Sequence, residues 1–296
     1  MDKYPLHGRA SFRSMMGAST DRRFTTISPG ATGKGLRPPA SLYREGDDTP
    51  HVLPQMTKAT FKILAQPDDS SCGPTALHAV YGHFGLEVPL PRIMREVTSL
   101  EAGGTLAVML GIHALQNGLN ARMHSYNLRV LDPTWSTLSS MELRDRILKQ
   151  MRLKSSRKLK VACKAYADFL DLGGEIAFEE LDRSLLHHYL DRDIPVLTGL
   201  SATYLYRSKR EFVGEDGRLV HDDLRGVPTG HFVVLIGMKG DRVRIADPYQ
   251  DNPFSPVRIY EEKVERVINS ILLGVMTYDA NLLVLSKDHL SESSLW

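Results

Sequence analysis

"QPDDSSCGPTALHAVYGHFG", residues 66–85, sets a cysteine directly before Gly-Pro and a run with helical spacing. Ala76, Leu77, Val80, Tyr81 and Phe84 recur at three- and four-residue steps, the pattern of one buried helix face. Ser70 or Ser71 can cap this helix, Pro74 suits its first turn, where a missing N–H is harmless, and Gly85 is a natural stop. A cysteine where a helix begins meets unpaired N–H groups and the positive end of the macrodipole, both of which favour a sulfur anion. Free cysteine titrates at about 8.5, so a thiol nucleophile needs such help and an imidazole besides. Cys72 is the candidate nucleophile, and Gly73 is expected to let another group come close to it.

The imidazole must be found among 11 histidines. His78 and His83 are near in sequence, but five residues at about 100° each turn them to different faces of the helix. His231 opens the apolar run "HFVVLIGM" after "PTG", at a strand edge where a cleft could lie. The turn "KGD" (239–241) follows, and "RVRIADP" alternates as the partner strand. Folding at that turn brings His231 beside Asp247, an acid able to fix the imidazole tautomer. Acyl chemistry also needs donors for a developing oxyanion. The Cys72 N–H is one, and the side-chain amide of Gln66, six residues upstream, is a second. Tyr204 and Gly230 are assigned with Gly73 to the substrate cleft.

The bulk numbers allow this chemistry. The chain has 296 residues with 42% hydrophobic and 24% charged content, ordinary for a globular protein with a real core. Lys plus Arg is 37 against 35 for Asp plus Glu, so the formal charge is +2 and no nucleic-acid partner is implied. Two cysteines make no disulfide framework, and Cys163 lies mid-helix among apolar neighbours as a packing residue. Paired Cys and His at ligand spacing are missing, so neither a metal nor a cofactor is expected. His187 and His188 at a helix end suit the dipole instead. No apolar run reaches the length of a membrane span, and the N-terminus lacks a secretory h-region. The expected location is cytoplasmic; the oligomeric state is not legible.

Along the chain, residues 1–55 are rich in Gly, Pro and small polar residues and are expected to be poorly ordered or extended. A single domain over 56–296 follows. "KATFKILA" (58–65) reads as a strand leading into the nucleophile loop. Three helices are expected between 72 and 118, and a strand at 120–128. Residues 137–171 carry two apolar stripes, Met141, Ile147, Leu148 and Met151, then Val161, Ala162, Tyr166, Phe169 and Leu170, split by a solvated basic turn. "FEELDRSLLHHYLDRD" (178–193) reads as a further helix. "IPVLTGLS", "HFVVLIGM" and the last stretch read as strands of an antiparallel sheet. Residues 201–230 are long and polar, a cleft-bordering loop in which Tyr204, Tyr206, Asp222 and Asp223 could touch substrate. Helices first and sheet later make the class α+β.

The ordered set Gln66, Cys72-Gly-Pro, Gly-His231-Phe-Val-Val and Ala-Asp247-Pro resembles the papain-like cysteine peptidases. Within them it is similar to family thirty-nine, the bacteriocin-processing double-glycine peptidases and their stand-alone relatives. The resemblance spans roughly residues 60–125 and 194–290 and leaves 126–193 as a helical insertion. It implies a papain-like fold, with the nucleophile helix packed on the sheet that carries His and Asp. It also implies Cys72 as nucleophile, His231 as base and acid, Asp247 as orienter and Gln66 as oxyanion donor. The expected activity is hydrolysis of a peptide or small amide through a thioester. An acyltransferase or peptide-tailoring enzyme with an amine acceptor, and a catalytically retired peptide-binding module, are the alternatives. Transporter-linked members carry membrane and ATPase domains that this chain lacks, so its substrate need not be a double-glycine leader.

Overall fold

The apolar runs at 194–201, 231–238 and 281–286 are continuous rather than alternating, as expected of strands covered on both faces. The computed structural model describes residues 61–100, 104–214 and 219–288; the expected N-terminal segment 1–55 lies outside the described residues. The elements run α1 (Cys72–His83), α2 (Leu90–Glu96), α3 (Ala107–Gln116), β1 (Asn120–Ser125), α4 (Ser140–Leu153), α5 (Arg157–Asp171), β2 (Glu175–Ala177), α6 (Arg183–Leu190) and β3 (Val196–Ser201). They continue with α7 (Ala202–Tyr206), β4 (Glu211–Val213), β5 (Leu219–His221), β6 (Gly230–Lys239), β7 (Arg242–Ala246), β8 (Ile259–Lys263), α8 (Val264–Leu273) and β9 (Asn281–Ser286). The class is α+β.

Among the described residues, seven strands form one sheet in the order β2-β1-β9-β3-β6-β7-β8, and β4 and β5 form a separate hairpin. Every pairing in the large sheet is antiparallel except β1 with β2 at its edge. Helices cover both faces. Leu197, Phe232, Val234, Leu283 and Leu285 join the core beneath α1, α3, α4 and α5. Their strand neighbours Val196, Val233, Leu235, Leu282 and Val284 join the core beneath α6 and α8. Each central strand thus buries both of its side-chain rows, and each fully buried Leu or Val contributes about 1.5–3 kcal/mol. Among the described residues, no helix is long and apolar enough to cross a membrane.

The stretch 126–193, expected as a helical insertion, is built into this frame. A capping box between Ser139 and Glu142 starts α4, the Ser156 hydroxyl caps α5, and β2 adds the edge strand. Its apolar stripes hold in part: Ile147, Ala162, Tyr166, Phe169 and Leu170 are buried, whereas Met141 and Val161 are exposed. α6 is shorter than the stretch at 178–193 suggests, because Asp182 caps it at Leu185 and the acids before it lie outside the helix.

Two expectations fail. Residues 61–66 form no strand: the stretch is tied to the frame by the Gln66 N–H donating to the Pro248 carbonyl (2.9 Å), and Ile63 is buried without a ladder around it. Residues 58–60 lie outside the described residues. The described parts of 201–230 are not one long loop. Ser201 caps α7, and Glu211, Phe212 and Val213 pair with His221, Val220 and Leu219.

Candidate active site

The loop before α1 folds on its own polar groups. The Asp68 carboxylate accepts from the Ser70 hydroxyl (2.8 Å) and N–H (2.9 Å), which holds it below the usual carboxylate range. Ser71 stands at the N-cap, yet its hydroxyl turns back into the loop and donates to the Asp68 carbonyl (3.0 Å). The first turn of α1 therefore has no side-chain cap where Cys72 stands, 9% exposed. The Gln66 amide donates to the Asp68 carbonyl (2.9 Å), while its Oε1 is buried without a partner. One N–H of that amide is thus engaged, and an amide nitrogen carries two.

His231 stands at the start of β6, and Asp247 follows directly on β7. A β-bulge decides whether they meet. On the turn side, Gly237 pairs with Arg244; past the bulge, Leu235 pairs with Ile245 and Val234 with Ala246. Ile236 is the extra residue. Carried one pair further, this register sets Asp247 opposite Val233, on the same face as His231. Without the bulge, Asp247 would oppose Val234 and point to the α1 face, because a one-residue slip reverses the side of every side chain.

Both groups are buried, and His231 Nε2 lies 2.8 Å from Asp247 Oδ1. Oδ1 also accepts the Tyr249 N–H (2.9 Å), and Oδ2 accepts the hydroxyls of Tyr206 (2.7 Å) and Tyr260 (2.8 Å). Burial pushes the Asp247 carboxyl upward, but the His231 charge and hydrogen bond, the Tyr206 hydroxyl and the Tyr249 N–H together hold it below its ordinary range. For His231, burial works against the imidazolium; the Asp247 charge and hydrogen bond outweigh it, Cys72 adds to them, and the ring is raised to about 10. Cys72 lies near enough to add to the effect of Asp247 on the ring, and with Nε2 taken by the carboxylate, Nδ1 is the nitrogen left open. The structure thus brings His231 against Asp247, with Cys72 near enough to act on the ring.

The remaining sites assigned from sequence lie differently. A Cβ on Gly73 would come within 2.8 Å of Thr105 and 3.2 Å of Leu110 and Phe232, so what approaches Gly73 is the protein's own core. A Cβ on Gly230 would collide with Asp279 Oδ2. Asp279 is a buried carboxyl, pushed up to about 7 by burial and hydrogen-bonded by Thr277. Tyr204 turns toward α8, with the Arg266 guanidinium 5.3 Å from its ring centre. Tyr206, two residues on, faces the site instead: its ring lies 6.0 Å from those of His231 and Tyr249. The sequence offers no signal for Asp279, and Tyr260 shows there only as one apolar step in a strand.

No protein-family model matches the chain, and no curated protein does. Solved structures similar to it include the peptidase domain of Streptococcus ComA, a bifunctional ABC transporter involved in a quorum-sensing pathway, at 14% identity and a TM-score of 0.36, covering 77% of this chain and 99% of that one. A putative C39-like peptidase from Bacillus anthracis is similar at 12% identity and a TM-score of 0.37, covering 77% of this chain and 96% of that one.

Proposed function

We propose that this protein is a thiol hydrolase that cleaves a peptide or small amide bond through Cys72, His231 and Asp247. The observation that carries this is His231 itself: a buried imidazole bonded to a fully satisfied carboxylate, with Cys72 near enough to act on the ring. The Cys72 sulfur attacks the carbonyl carbon, and the C–S bond forms as the carbonyl electrons move to oxygen. The Cys72 N–H and the second N–H of Gln66 take that oxyanion. His231 gives its Nδ1 proton to the leaving amine, and the C–N bond breaks to leave a thioester. Water then attacks, losing a proton to Nδ1, and the acid departs as the sulfur regains its electrons. Each oxyanion donor in such a site is worth about a hundredfold or more in rate.

The test is a peptide-library digest read by mass spectrometry. The intact chain is expected to release hydrolysed products, and Cys72→Ala to release none while melting as before. Full activity in that variant would sink the mechanism. Products carrying an added amine in place of water would move the assignment to acyl transfer.

A further inference from the structure

We infer that Tyr206 and Tyr260 are positioning residues for the thiol hydrolase proposed above, their hydroxyls locking the plane of the Asp247 carboxylate and so the orientation of His231. A carboxylate held only by an imidazole can turn about its last bond. Here it cannot. Oδ2 takes two phenol hydroxyls, at 2.7 and 2.8 Å, while Oδ1 takes the Tyr249 N–H at 2.9 Å and His231 at 2.8 Å. Four donors fill the acceptor positions of the group, so Oδ1 alone is presented to the imidazole.

The two tyrosines come from unrelated parts of the chain. Tyr260 is fixed by β8, opposite Ile245 of β7, with the Phe254 ring 4.7 Å away. Tyr206 ends the single turn of α7, held by the Ser201 hydroxyl on the Tyr204 N–H and by the Ala202 N–H on the Thr229 carbonyl. Among the described residues of 201–230, Tyr206 is the one whose side chain bonds the Asp247 carboxylate. A buried ring serves packing without a hydroxyl, and a buried hydroxyl costs free energy unless bonded. Both hydroxyls being spent on one carboxylate points to that carboxylate as their purpose. Burial first, and then the Asp247 charge, push both phenols well above their ordinary range, so they remain donors and take no part in proton transfer.

The test is Tyr206→Phe, Tyr260→Phe and the double variant in the full chain. Three quantities are read: kcat and KM on a cleaved peptide, the low-field proton resonance of His231 Nε2, and the melting temperature. Losing one hydrogen bond to a charged group is expected to lower kcat roughly tenfold to a hundredfold. KM should stay within about twofold, since neither hydroxyl faces substrate in this role. The His231 resonance should move in each single variant, because Asp247 then holds the shared proton differently. Unchanged kcat with an unmoved resonance in folded single variants overturns the inference, as does a loss carried wholly by KM. If the native protein cleaves no peptide, the hydrolase itself fails, and the resonance alone still decides what the hydroxyls do. Should Tyr260→Phe not fold, the half-buried Tyr206→Phe decides between the same two outcomes by the same readings.

Discussion

Asp247→Asn removes one charge from the centre of the site and leaves the shape almost unchanged. In the native protein His231 is raised from 6.5 to about 10, with burial opposing the charged ring and Asp247 the larger of the two groups outweighing it. Without that carboxylate, burial is opposed by Cys72 alone, and the imidazole should titrate near or below its ordinary 6.5. A fall from about 10 to about 6.5 corresponds to about 5 kcal/mol at 1.36 kcal/mol per tenfold change in proton affinity. Because Cys72 supplies part of the native shift, and breaking a buried pair is worth about 3–5 kcal/mol, the loss should lie in that range. The sign with pH follows from two groups. His231, raised on folding, contributes stability that is complete below about 6.5 and is lost as pH rises through about 10. Asp247, lowered on folding, contributes stability present above its ordinary 3.8 and lost as pH falls through its depressed value. The stability gap between native and variant should therefore be widest between about pH 4 and 6.5 and close above about pH 10. Urea titrations at pH 5.5, 8 and 10.5 read the gap, and the His231 Hε1 resonance reads the imidazole directly. An imidazole that titrates as before in the variant, or a gap that widens toward alkaline pH, would refute the ion pair.

Three further outcomes are expected. Gly230→Ala sets a Cβ against Asp279 Oδ2 and 2.8 Å from the Thr277 hydroxyl, and should lower stability by about 1–3 kcal/mol, read as a drop in melting temperature. Cys163 is fully buried and its thiol is pushed up by burial, so iodoacetamide at neutral pH should leave it unmodified in the folded chain and label it only in denaturant, read by peptide mass mapping. Deleting Ile236 removes the extra residue of the bulge and should abolish peptide cleavage and the low-field His231 resonance, whereas Ile236→Val should keep both.

That deletion isolates the limit of what the sequence can say. The helix opening at Cys72 and the strand after His231 are legible because each is a local pattern, a first-turn proline and an unbroken apolar run, whereas the Ser71 hydroxyl, expected as a cap, turns back into the loop. Asp247 is reachable by folding the chain at the "KGD" turn, since its distance from that turn is close to that of His231. Proximity is not facing, however. Gly240 with φ +61 closes the turn, and the pairs Lys239–Arg242, Met238–Val243 and Gly237–Arg244 count out a register that would send Asp247 to the α1 face. One unpaired residue, Ile236, reverses it, and nothing in "VVLIGMK" marks that residue apart from its neighbours. The tyrosines on Asp247 are hidden for a related reason. Tyr206 follows Tyr204 by two, which a strand would place on one face, but the turn of α7 sends one ring to Arg266 and the other to the carboxylate. At Gly73 and Gly230 the sequence shows only that a side chain is missing; the groups that fill the space are Thr105, Phe232 and Asp279, which lie 32, 159 and 49 residues away in the chain. What the sequence withholds is thus register and long-range packing, the two properties that are set only when separate elements meet.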